Sequence, residues 1–130
     1  MRIEESEMIF GEYNEDDVFR IEKSRQYREL KTKGVKSCEF IMLRGKTLYF
    51  LEAKKSNPKE LVADTDDEKR RKYCEYIDDI IGKMIHSILL YENLVLHRYD
   101  VDGISKNLML NDLQDYEIKL VLVAIFKLYK

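Results

Sequence analysis

Apolar positions along the chain follow two different periods. Between Cys38 and Lys54 they run nearly unbroken, as Phe40-Ile41-Met42-Leu43 and then Leu48-Tyr49-Phe50-Leu51, around a turn at Arg44-Gly45-Lys46-Thr47. Strand-favouring residues on both sides of a short glycine turn predict a β-hairpin. Elsewhere the spacing is helical. Val18, Phe19, Ile21, Tyr27 and Leu30 form a partial stripe that predicts a helix from about Asp16 to Leu30, capped by Asn14 or a following acid and ended by Lys33-Gly34. Asp64-Thr65-Asp66-Asp67-Glu68 opens a long helix running to about Asn93. On it Tyr73, Ile77, Ile80, Ile81, Met84, Ile85, Ile88 and Leu89 make a wide stripe, which implies heavy burial.

Tyr116 to Tyr129 closes the chain as a strand dense in Ile, Val, Leu and Phe. Met8 to Tyr13 stays open between a short strand and an irregular lead-in. Arg98 to Asp115 is loop-like around the Asp102-Gly103 turn, with room for a short helix near Lys106 to Leu110. Pro58 stops the second hairpin strand from continuing. The order of helix, paired strands, long helix and strand points to a layered α/β domain with a mixed sheet.

Both faces of the hairpin are apolar, so it belongs inside a sheet covered from both sides. With Leu43 opposite Leu48, one face holds Glu39, Ile41, Leu43, Leu48, Phe50, Glu52 and Lys54. Phe40, Met42, Tyr49, Leu51 and Ala53 fill the other. That register makes Glu39 and Glu52 cross-strand neighbours, and a slip of one residue parts them. Adjacent carboxylates in a partly buried place repel and take up a proton unless a cation joins them. Mg²⁺ is the natural cation, a hard ion held by one or two carboxylates beside a phosphate, with Mn²⁺ as its substitute. Glu39 and Glu52 are the candidate metal ligands, with the Ala53 carbonyl as a third. Lys54 stands where an ammonium stabilises phosphoryl charge or orients an attacking water. The chemistry is that of phosphodiester hydrolysis.

Charge is unevenly spread. The 130 residues carry a net charge of −2, yet positions 1–17 balance to −6, 18–59 to +8 and 60–130 to −4. The basic third surrounds the hairpin and suits a polyanion, although a solvated helix face with turn lysines accounts for it equally well. An apolar share of 45% and a charged share of 37% describe one globular domain, 1–130, with no apolar run near the roughly 20 residues of a membrane span. The acidic N-terminus has no apolar stretch behind it and so reads as no secretory signal. Cys38 and Cys74 form no Cys-x-x-Cys pair and read as small buried apolar residues. The expected compartment is a reducing cytoplasm.

An acid on one strand followed by Glu52-Ala53-Lys54 on the next resembles the active-site hairpin of the PD-(D/E)XK nuclease superfamily, the restriction-endonuclease-like fold. Glu39 takes the place of the first acid, Glu52 of the second and Lys54 of the lysine. Glu22 is the candidate for the acid that many members carry on the preceding helix. The resemblance covers about Asp16 to Tyr129 and implies a single α/β domain, a mixed sheet flanked by helices, a Mg²⁺ cofactor and a nucleic-acid substrate, DNA before RNA. The chain departs from the pattern in two ways. Its first acid is Glu where Asp is commoner, and no separate strand lies between the first helix and Glu39. Either Met8 to Tyr13 supplies that strand, or the chain is a reduced or repurposed member. Composition alone predicts about three acid-x-Lys matches in such a chain. Four occur, and Glu29-Leu30-Lys31, Asp67-Glu68-Lys69 and Glu117-Ile118-Lys119 lack an acid on a paired strand. The weight therefore lies in context.

The remaining candidates have ordinary readings. Glu22, beside Lys23 and Arg25, also reads as a solvated glutamate. His86 reads as a core or interface histidine and His97 as a surface residue. Lys69-Arg70-Arg71-Lys72 reads as a solvated helix turn, and Tyr73, Tyr76 and Tyr91 as packing residues. The wide stripe of the long helix also admits a homodimer. Beside the metal-dependent nuclease stand a catalytically inactive nucleic-acid-binding or protein-assembly module, and a purely structural ion-pair cluster at Glu39, Glu52 and Lys54.

Overall fold

The computed structural model describes residues 1–55, 67–98, 101–109 and 113–124. Its elements are Ile3–Glu5 (β1), Met8–Phe10 (β2), Val18–Phe19 (β3), Arg25–Lys31 (α1), Phe40–Arg44 (β4), Thr47–Lys54 (β5), Asp67–Val95 (α2) and Glu117–Ala124 (β6). Short 3₁₀ turns lie at Glu15–Asp17, Ile21–Lys23, Lys106–Met109 and Leu113–Asp115. The Pro58 loop, the acids at 64–66 and the chain end at 125–130 fall outside the described residues.

The predicted hairpin forms in the predicted register. Leu43 faces Leu48, Phe40 faces Leu51, and Arg44 faces Thr47 across the turn, where Gly45 takes a φ of 62°. A four-stranded sheet in the order β3-β4-β5-β6 grows around it, antiparallel from β3 to β5 and parallel between β5 and β6. The domain is therefore α/β with a mixed sheet.

The region 16–30 is not one helix. Val18 and Phe19 pair with Met42 and Ile41 as β3, and α1 starts only at Arg25, where the Ser24 hydroxyl caps it by accepting from the Tyr27 N–H at 3.0 Å. Val18 and Phe19 are strand-favouring and fully packed, so pairing with the edge of β4 outweighs a partial helical stripe. β3 comes before α1, and no strand lies between α1 and Glu39, so that departure from the pattern stands. Met8–Phe10 is a strand too, but it pairs with β1 in a separate two-stranded sheet.

Each face of the sheet has its own core. On one, Ile41, Leu48 and Phe50 meet Tyr27 and, from α2, Ile80, Met84, Leu90, Tyr91 and Leu94. Phe50 and Tyr91 pack edge to face with ring centroids 5.9 Å apart. On the other, Phe40, Leu51 and Ala53 lie against Ile3, Met8, Phe10 and Tyr13. Helices thus cover one face, and the β1–β2 hairpin covers the other where flanking helices were expected. The tight turn of that hairpin holds Ser6 and Glu7 at φ of 51° and 63°, a costly region for non-glycine residues that suits a two-residue turn.

The α2 stripe is only half buried. Its inner side carries Ile80, Met84, Ser87, Leu90, Tyr91 and Leu94, while Ile81, Ile85 and Leu89 stay about half exposed. Cys74 is exposed, contrary to expectation, because it lies on that outer side; Cys38 is buried as expected. No helix among the described residues is long and apolar enough to cross a membrane.

Phe40 joins the sheet to the N-terminal hairpin, with the rings of Phe10 and Tyr13 at 5.6 and 6.0 Å. Phe40→Ala is expected to cost about 3–5 kcal/mol in urea denaturation, whereas Ile81→Ala on the outer side of α2 should stay within about 0.5 kcal/mol of the parent.

Candidate metal centre

Backbone pairing delivers the first two acids. Glu39 lies just before β4, where its N–H donates to the Leu51 carbonyl at 3.0 Å, and its carboxyl meets that of Glu52. Glu52 is only 1% exposed and Glu39 is partly buried. In each, Oε2 is buried without a hydrogen-bond donor. An orphaned, desolvated carboxylate oxygen is costly and calls for a proton or a cation.

Two further acids converge on Glu39. Glu22 is delivered by the 3₁₀ turn Ile21–Lys23, anchored by the buried Ile21, in place of the predicted helix. Glu5 comes from β1. One oxygen of each of Glu5, Glu22 and Glu39 lies within 4.8 Å of the other two. Sequence reasoning missed Glu5; the signal was its place two residues after the buried Ile3, on the same face of a strand. Arg20 Nη2 donates to Glu5 Oε1 at 2.7 Å, and Lys23 Nζ stands 3.8 Å from the same oxygen. The neighbouring Ser6 hydroxyl donates to the Ala53 carbonyl at 2.9 Å, which engages one lone pair of that candidate ligand and leaves the second.

Electrostatics follow from this crowding. Burial first, and then the Glu22 and Glu52 carboxyls, push the Glu39 carboxyl up from 4.5 to about 10. With no cation present, a proton therefore relieves the cluster at neutral pH.

The lysines divide differently from the sequence expectation. Lys54 Nζ lies 3.7 Å from Asp79 Oδ2 and 5.9 Å from the centre of the Tyr76 ring. The ammonium at Glu52 is that of Lys83, from α2, with Nζ 3.4 Å from Oε2. At that distance the contact is a charge pair, long for an ammonium–carboxylate hydrogen bond. Asp79 is the hub on α2, receiving Lys36 Nζ at 3.0 Å and Lys54 and Lys83 each at 3.7 Å. Burial works against its charge, yet the Lys36 hydrogen bond and the Lys83 and Lys54 ammoniums outweigh it and hold Asp79 below its ordinary value. Burial likewise opposes the Lys83 charge, and Glu52 and Asp79 outweigh it, raising that lysine. Asp79 and Lys83 were not among the sequence candidates. Their signal was an i,i+4 acid–base pair beside the inward positions Ile80 and Met84.

The other candidates take ordinary roles. His86 Nδ1 accepts from the Lys36 N–H at 2.8 Å, and His97 is exposed. Lys72 pairs with Glu68 and Arg71 with Glu75 along the exposed start of α2. Tyr91 is buried and donates to the Leu108 carbonyl.

The donor set around Glu39 is all oxygen, which is the chemistry of a hard cation such as Mg²⁺ or Mn²⁺ in place of a softer ion. Comparison with protein-family models, curated proteins and solved structures returns no match.

The native state holds the Glu39 proton more tightly than the unfolded chain does. Its contribution is complete below the ordinary 4.5 and is lost as pH rises toward about 10. In chelator, urea stability should fall from about pH 6 to about pH 9, and Glu39→Gln should flatten that fall. A slope unchanged by the substitution would place the proton elsewhere.

Proposed function

We propose that the chain is a restriction-endonuclease-like domain and a Mg²⁺-dependent nuclease acting on nucleic acid, DNA before RNA. One observation carries the reading: Glu39, just before β4, and Glu52, on β5, bring their carboxyls together, and each keeps a buried Oε2 with no well-aligned donor. Glu39, Glu52 and the Ala53 carbonyl would hold the ion, and Glu22 would extend the set from the side of Glu39. When bound, the ion supplies an activated water for attack at phosphorus. Lys54 turns from Asp79 toward the scissile phosphate and neutralises charge developing on its oxygens. Lys36 and Lys83 add positive potential that draws the polyanion to this edge of the sheet.

A second reading is a non-catalytic nucleic-acid-binding module. It is favoured by the pairing of Lys54 with Asp79 and of Glu52 with Lys83, which leaves each charge an internal partner.

The test incubates the purified chain with linear, circular and single-stranded DNA and with RNA, in Mg²⁺, Mn²⁺ or chelator. Metal-dependent cleavage is expected, abolished in Glu52→Ala and lowered about 10²–10³-fold in Lys54→Ala. Salt-sensitive binding without cleavage would establish the second reading instead.

A further inference from the structure

Helix α2 places at the acid pair a lysine that the hairpin does not contain. Lys83 Nζ sits between two carboxylates, 3.4 Å from Glu52 Oε2 and 3.7 Å from Asp79 Oδ2. A lysine committed to a buried ion pair aligns a hydrogen bond with its acceptor, because only then does the contact offset the desolvation of both charges. Here Glu52 is 1% exposed, yet its Oε2 is 3.4 Å from the ammonium, long for an ammonium–carboxylate hydrogen bond. Asp79 is half-exposed and within reach of the same ammonium, one helical turn before Lys83. An ammonium is a compact charge on a flexible stem, so moving from one acid to the other needs a change of rotamer and no shift of backbone.

We propose that Lys83 is a built-in counter-cation that competes with the metal for Glu52, and that Asp79 is the acid to which it withdraws. The inference rests on the metal reading above and deepens it. Without metal, the Lys83 ammonium lies against Glu52. With a divalent cation at Glu39 and Glu52, like-charge repulsion drives it onto Asp79. Lys83 and Asp79 are thus positioning residues that set the metal affinity of the site.

Calorimetric titration of the full chain with MnCl₂ tests this without any activity measurement. Lys83→Met removes the competitor and is expected to tighten Mn²⁺ binding about tenfold, the scale of a partly buried charge pair. Lys83→Arg, whose guanidinium pairs with a carboxylate in bidentate fashion, is expected to weaken it. Asp79→Asn removes the acceptor and is expected to weaken Mn²⁺ binding in the parent but much less in the Lys83→Met background, a coupling that a purely structural helix pair would not produce. If Lys83→Met fails to fold, the Lys83→Arg and Asp79→Asn arms decide. Parent binding that neither Lys83 variant changes in the stated direction overturns the inference alone. Absence of Mn²⁺ binding in the parent and in Lys83→Met overturns it together with the metal reading.

Discussion

Across the turn at Gly45 and Lys46, Arg44 pairs with Thr47 and Leu43 with Leu48, and the rest of the structure depends on that register. Side chains alternate strictly along a strand, so the pairing decides at once which residues face α2 and which face the N-terminal hairpin. It sends Ile41, Leu48 and Phe50 into one core and Phe40, Leu51 and Ala53 into the other. The same alternation leaves Glu39 and Glu52 side by side. Moving the pairing by one residue would part the acids and turn one of them toward the apolar rings of Phe10 and Tyr13, where desolvation is not offset.

Buried acids then organise the charges around them. Glu52 draws the ammonium of Lys83, Glu5 draws Arg20, and Glu39, crowded by Glu22 and Glu52, keeps its proton. Three different neutralising devices at one end of one sheet describe a place where negative charge is concentrated and only partly balanced. In the proposed reading a hard divalent cation would take the place of the proton on Glu39 and compete with the nearest ammonium. Asp79 gathers Lys36, Lys54 and Lys83 into a group of ammoniums next to the acids.

The N-terminal hairpin has a double role. Ile3, Met8 and Phe10 seal the second core, and the turn beside them brings Glu5 to the acids and the Ser6 hydroxyl to the Ala53 carbonyl. Ser6 holds a backbone conformation that disfavours side chains, and its hydroxyl gains a hydrogen bond there to a strand otherwise at the end of its antiparallel partner. Packing and site are therefore joined through the same few residues.

The hairpin, its register and the meeting of Glu39 with Glu52 were legible in the chain, because period-two alternation over strong strand formers is a local signal and the turn length sets the pairing. The long helix was legible from its helical spacing and the last strand from its run of strand formers, whereas the parallel pairing of that strand with β5 was not. Val18 and Phe19 were not, since a two-residue strand exists only through the edge of β4 that it joins, and a weak helical stripe cannot reveal a tertiary partner. Glu5, Asp79 and Lys83 were equally silent. Charged residues on short or amphipathic elements look solvated until another element, distant along the chain, closes over them. Local sequence determined the strand pair and its two acids. Only the packing of α2 and of the N-terminal hairpin against that pair decided which charges would balance them, because Coulomb interactions act through space and leave no period in the sequence.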